Sequence, residues 1–176
     1  MPTAAGLRLP LPLPVLSGLA PVLHARTRLV VLGSFPGVAS LQAQQYYGHP
    51  RNQFWPIVGR LLKFELGNAP YADRLAAIRE RGLGLWDVYQ TCRRAGSLDT
   101  AIHDAVLNDL GSLRRMAPGL LAVAHNGTES ARVMRHTRLL GLPVHQLPST
   151  SPAHASWSFE RKLAAWHAVF ASCGLA

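Results

Sequence analysis

The sequence predicts an α/β fold, a three-layer sandwich with a central four-stranded parallel sheet flanked by helices. Three observations carry this. Short apolar runs that end in Gly or in a polar residue recur along the chain. Between them lie segments with apolar residues at helical spacing. No internal repeat and no shift in composition marks a second domain in the 176 residues. Alternation of this kind buries each strand on both faces and places helices on the crossovers.

The elements follow in order. Residues 1–14 are a Pro-rich arm, and residues 15–176 are read as one domain. The stretch "LRLPLPLPVLSGLAPVL" has one Arg and an apolar tract, but its prolines and lack of a small-x-small site argue against a signal peptide. An extended strap over the domain is expected instead. "RLVVLG" (28–33) is a buried parallel strand. "QFWPIVGRLLKF" is a helix, with Phe54, Ile57, Val58, Leu61 and Leu62 on one face and Pro56 in its first turn. "YADRLAAIRERG" is a helix stopped by Gly82. "LGLWDVY" is the second strand. "GSLDTAIHDAVLNDLGSLRRMAPG" contains a helix ending before Pro118. "LLAVAHNG" and "PVHQLPS" are the third and fourth strands, separated by one helix over "TESARVMRHTRLLG". "SWSFERKLAAWHAVFASCG" is a terminal amphipathic helix, with Trp157, Leu163, Trp166, Val169 and Phe170 on its apolar face.

Charge narrows the partners. There are 18 basic and 9 acidic residues, a formal +9, and all the basic ones except Lys63 and Lys162 are Arg. Such a surface attracts polyanions, nucleic acid first among them. Cys92 and Cys173 lie far apart with no His or Cys at metal spacing, so a Cys-only zinc or iron–sulfur site is not expected. The chain reads as reduced, cytoplasmic and monomeric, without a membrane span or an obligate protein partner.

In open parallel sheets, ligands bind beyond the C-terminal strand ends. Three polar or aromatic clusters fall there, at 33–55, 125–128 and 148–157. "GSFPG" is an ordinary turn or a place where backbone approaches a ligand; it has neither Walker A nor dinucleotide-binding spacing. In "YYGHPRNQFW" the aromatics can stack on a base or belong to the core. Asn52 can serve a base edge or a water, or cap the helix. Asn126 is a helix N-cap or a pocket group, and His125 reads as a packed residue. "PSTSPAHA" offers hydroxyls and N–H groups to phosphates, or forms turns that cap the last helix. Asp87 is the one carboxylate at a strand end, and paired carboxylates of the glycosidase kind are missing.

Taken together, "LVVLGSFPGVASLQAQQYYGHPRNQFW", "GLGLWDVYQTCRRAGSLD", "HNG" and "LPSTSPAHA" resemble the uracil-DNA glycosylase superfamily, above all its hypoxanthine-DNA glycosylase branch, family 6. The resemblance implies a monofunctional DNA glycosylase, with no metal and no cofactor, acting on double-stranded DNA that contains a deaminated base. Hypoxanthine comes first, with uracil or xanthine possible substrates. The alternatives are a G:U/T mismatch-specific enzyme and a non-catalytic nucleic-acid binder on the same scaffold. Mismatch-specific relatives carry Asn before the loop's Pro, where this chain has Phe35; the resemblance therefore moves catalysis to Asn52. It further implies base binding by Gly33, Ser34, Phe35, Phe54 and Asn126, with Phe54 stacking on the flipped base. The phosphate-pinching loop would comprise Ser149, Thr150, Ser151, Pro152, Ala153 and His154.

Overall fold

The structure, a computed structural model, describes residues 12–176; most of the Pro-rich arm lies outside the described residues. The strands are β1 (Val15–Ser17), β2 (Leu29–Gly33), β3 (Leu83–Asp87), β4 (Tyr89–Arg93), β5 (His103–Leu107), β6 (Ala122–Asn126) and β7 (Val144–Leu147). The helices are α1 (Val38–Ala43), α2 (Phe54–Leu62), α3 (Tyr71–Arg81), α4 (Leu113–Met116), α5 (Thr128–Ala131), α6 (Met134–Arg138) and α7 (Phe159–Ser172).

The four expected strands form the main parallel sheet, in the order β3-β2-β6-β7. Strand β2 is central and buried at every position. Its side chains alternate between two cores, as a strand's period of two requires. Leu29 and Val31 enter the layer built with α2, α3 and α7, where Phe54, Trp55 and Trp166 are buried. Val30 and Leu32 enter the opposite layer, with Leu113, Val88 and Cys92. The register pairs Gly33 with Asp87 and Asn126 with Leu147, which aligns the strand ends along one edge.

A second sheet is absent from the sequence reading. Strands β1, β4 and β5 form it, antiparallel, in the order β1-β4-β5. The chain leaves β3 and, after Val88, continues as β4 in the other sheet. Strand β5 lies within a segment read only as containing a helix. Its first four residues are exposed, so no alternation of apolar and polar residues announces it. The helix there is one turn, α4, and ends before Pro118.

The single helix expected after "HNG" is two short ones, α5 and α6. The buried His125 side chain ties them together, with Nδ1 at 2.8 Å from Ser130 Oγ and Nε2 at 2.9 Å from Thr137 Oγ1. Burial pushes its pKa down to about 4, so the ring is neutral and structural.

Candidate active site

Four segments close over the strand ends and enclose a cavity of about 790 Å³, within the range of small-ligand sites. The first wall is the turn after β2. The amides of Val88 and Tyr89 donate to the carbonyls of Gly33 and Ser34, which fixes the turn to the β3–β4 junction. A Cβ on Gly33 would lie 2.4 Å from Asp87 Oδ1, so glycine leaves the room that this carboxyl occupies. Ser34 donates to Asp99 Oδ1 at 2.6 Å. Phe35 is buried against the cavity, with the Arg94 guanidinium 5.3 Å from its ring centre and donating to the Pro36 carbonyl.

The second wall runs from Tyr46 to Asn52. Asn52 lines the cavity, and its Oδ1 also accepts from the Phe54 amide at 2.9 Å. The helix-end role is made, and the side chain also borders the cavity. The amide oxygen caps α2, and among the described residues Nδ2 is left without a protein partner. An amide held in this way keeps its two Nδ2 donors and one oxygen lone pair for other partners.

Phe54 corrects an expectation. It is fully buried and does not line the cavity. Tyr47 lies over it instead, with ring centres 3.9 Å apart and planes 17° apart. The aromatic rings that line the cavity are those of Phe35, Tyr46 and Tyr47.

The third wall is the end of β6. Asn126 donates from Nδ2 to Thr150 Oγ1 and accepts from the Thr150 amide, both at 3.0 Å. Its amide holds the next loop and keeps one N–H for the cavity. Gly127 sits at φ +94°, and a Cβ there would lie 3.0 Å from Ser149 Cβ. The close approach that glycine allows is thus made by the loop.

The fourth wall is 149–154, and every one of its residues lines the cavity. Thr150 is fully buried; its hydroxyl accepts from Asn126 and its amide donates to Asn126, so it anchors the loop as well as lining the cavity. Ser149 and Ser151 accept from the amides of Ser151 and Ala153, so each hydroxyl keeps its O–H for a ligand. Lys162 of α7 is buried beneath and donates to the His154 carbonyl at 2.7 Å and to Gln53 Oε1 at 3.0 Å. All the expected site residues except Phe54 thus meet around one space.

Asp87 dominates the electrostatics. It is 4% exposed, and its Oδ2 has no partner among the described residues. Burial, reinforced by the negative charge of Asp99, pushes its pKa up to about 7 against the pull of Arg94. The unfolded chain releases this proton near pH 3.8, so between about pH 4 and 7 the folded state holds more protons and stability falls as pH rises. Asp87→Asn has no such titration. Its stability relative to wild type should rise by a few kcal/mol between pH 4 and 8, checked by denaturant melts at both values.

A model of the uracil DNA glycosylase superfamily matches residues 20–170, and the chain belongs to that superfamily. Two relatives named hypoxanthine DNA glycosylase, from Methanosarcina barkeri and Methanosarcina acetivorans, are each 36% identical over 87% of this chain and 96% of their own length. A solution NMR structure from M. acetivorans, described as a candidate uracil DNA glycosylase, superposes with a TM-score of 0.82 and 34% identity over 91% of this chain and 99% of that one.

Tyr47, Asp99 and Glu129 also line the cavity and were not singled out from the sequence as site residues. Tyr47 was legible only as one of an aromatic pair. Asp99 reads as a turn residue until Ser34, 65 positions away, is seen to donate to it.

Proposed function

We propose that the protein is a monofunctional DNA glycosylase that flips hypoxanthine out of duplex DNA and hydrolyses its N-glycosidic bond. The observation that carries the reading is the cavity's polar inventory. Phe35 fills the wall where mismatch-specific members of the family place a water-handling side chain, and Asn52 offers an amide donor across the same space. The 36% identity to hypoxanthine DNA glycosylases supports the choice of base.

The chemistry follows from what the walls can do. Extruding a base costs a few kcal/mol and is cheapest at a mispaired one. The aromatic rings of the cavity then receive it. An amide is a poor base, so water is not strongly activated, and the bond must be largely broken before attack. The sugar then carries oxocarbenium character, stabilised by the DNA phosphates and the departing base. Asn52 Nδ2 donates to the charge that develops, on the base or on the positioned water. The basic surface holds the duplex, and affinity should fall steeply with salt.

Duplexes containing hypoxanthine, uracil, thymine or xanthine test the assignment through single-turnover abasic-site formation. Hypoxanthine should be released fastest. Faster release of uracil would replace the reading with a uracil-directed enzyme, and salt-sensitive binding without release of any base would make the protein a binder.

A further inference from the structure

We propose that Asp87 is a catalytic residue of this site, the acid that gives a proton to the purine as it leaves. The proposal rests on the reading of the protein as a purine-releasing glycosylase. It starts from placement. Asp87 ends β3 beside Gly33 and lines the cavity, and the missing Cβ of Gly33 is what admits its carboxyl. The Tyr47 hydroxyl comes to 3.3 Å from the same Cβ position. Asp87 Oδ2 is buried without a partner among the described residues, and Tyr47 Oη faces the Asn126 amide without a well-formed hydrogen bond. Two such groups in one cavity wall call for an explanation, because leaving buried polar groups unpaired is costly.

The protonation state sharpens the point. With a pKa near 7, much of Asp87 is the neutral acid at physiological pH. A neutral carboxyl carries an O–H that needs an acceptor; Oδ2 is fully enclosed, but Oδ1, beside Gly33, makes no hydrogen bond among the described residues and is not enclosed with it. The acceptor then comes from the ligand. A purine supplies it at N3 or N7, the ring nitrogens that bear no hydrogen in hypoxanthine when N9 is bonded to the sugar.

The other carboxyls of the cavity are engaged and closer to solvent. Asp99 accepts from Ser34, and Glu129 accepts from Tyr89 and Arg132. Asn52 has no transferable proton. The groups that set the charge at Asp87 are Asp99, which favours the neutral form, Arg94, which opposes it, and the hydroxyls of Tyr46 and Tyr47, which burial keeps protonated.

The step balances. The C1′–N9 bond breaks and its electron pair leaves with the purine. The Asp87 proton moves to N3 or N7, so neutral hypoxanthine departs and a carboxylate remains. Water then forms the C1′–O bond, and the proton it loses restores the acid. The carboxylate that forms also opposes the positive charge left on C1′.

The test uses the full chain, Asp87→Asn, and single-turnover release between pH 5.5 and 9. Asparagine keeps the shape and can still donate a hydrogen bond, but it cannot transfer a proton. Wild type should slow as pH rises through about 7. The variant should be about 100-fold slower at pH 6 and should lack that limb. Duplexes with 7-deaza- and 3-deazahypoxanthine locate the proton. One of them should resist wild type, and on it the variant should be no worse than wild type. A variant as fast as wild type, or one slowed equally at every pH and on both analogues, would overturn the proposal. The wild-type rate on hypoxanthine judges the substrate reading; the ratio of variant to wild type judges Asp87. Release of pyrimidines alone would sink both.

Discussion

Asn52→Ala is expected to slow base release by about 100- to 1,000-fold, the usual cost of losing one donor aimed at developing charge. Its stability should fall by about 1 kcal/mol, because Asn52 Oδ1 also caps α2 through the Phe54 amide. Asn52→Asp separates the two roles. An aspartate keeps an oxygen for the cap, so the melting temperature should stay near wild type. It replaces the Nδ2 donor with an acceptor, so release should fall as far as in the alanine variant. Single-turnover rates beside thermal melts read both effects. An active Asn52→Asp enzyme would mean that the residue handles water by accepting from it, and the donor role would be wrong.

The same residue shows what the sequence could and could not reveal. The parallel sheet was legible because its four strands are short apolar runs ending at Gly33, Asp87, Asn126 and Leu147, with helices between them. The rule that ligands bind beyond strand ends then located the cavity. Strand β5 was not legible, since an exposed edge strand has no burial pattern to print on the sequence. Within the site, residue type predicted membership better than role. Asn126 and Thr150 were both expected to touch DNA or base, yet their side chains mainly bind each other across 24 positions. Phe54 was expected to stack on the base, and Tyr47 covers it. Such outcomes depend on which of two neighbouring aromatics the backbone turns inward. Tyr47 holds φ at +55°, a left-handed conformation that local sequence does not announce for a tyrosine.

Lys162→Met should produce the second large effect, from beneath the site. The terminal helix reads as an amphipathic one, with an apolar face that includes Leu163 and Trp166. The structure also puts Lys162 on the buried side, 2% exposed. One turn apart, Lys162 Nζ and Trp166 Nε1 donate to the His154 and Pro148 carbonyls and hold both ends of the 148–154 loop. Lys162 also reaches Gln53, whose amide donates to the Thr150 carbonyl at 3.0 Å. One cation thus ties the loop to the segment that carries Asn52. Methionine keeps the volume but strands two acceptors, which should cost about 1–3 kcal/mol in a denaturant melt. A loosened loop must be ordered anew by the DNA, so the Kd for duplex should rise about tenfold. Release from saturated enzyme should change less, because Lys162 makes no direct contact with the Asn52 side chain or the Asp87 carboxyl. A loss of stability with unchanged duplex affinity would show that Lys162 supports the core alone and that the loop is held well enough by Asn126 and Trp166.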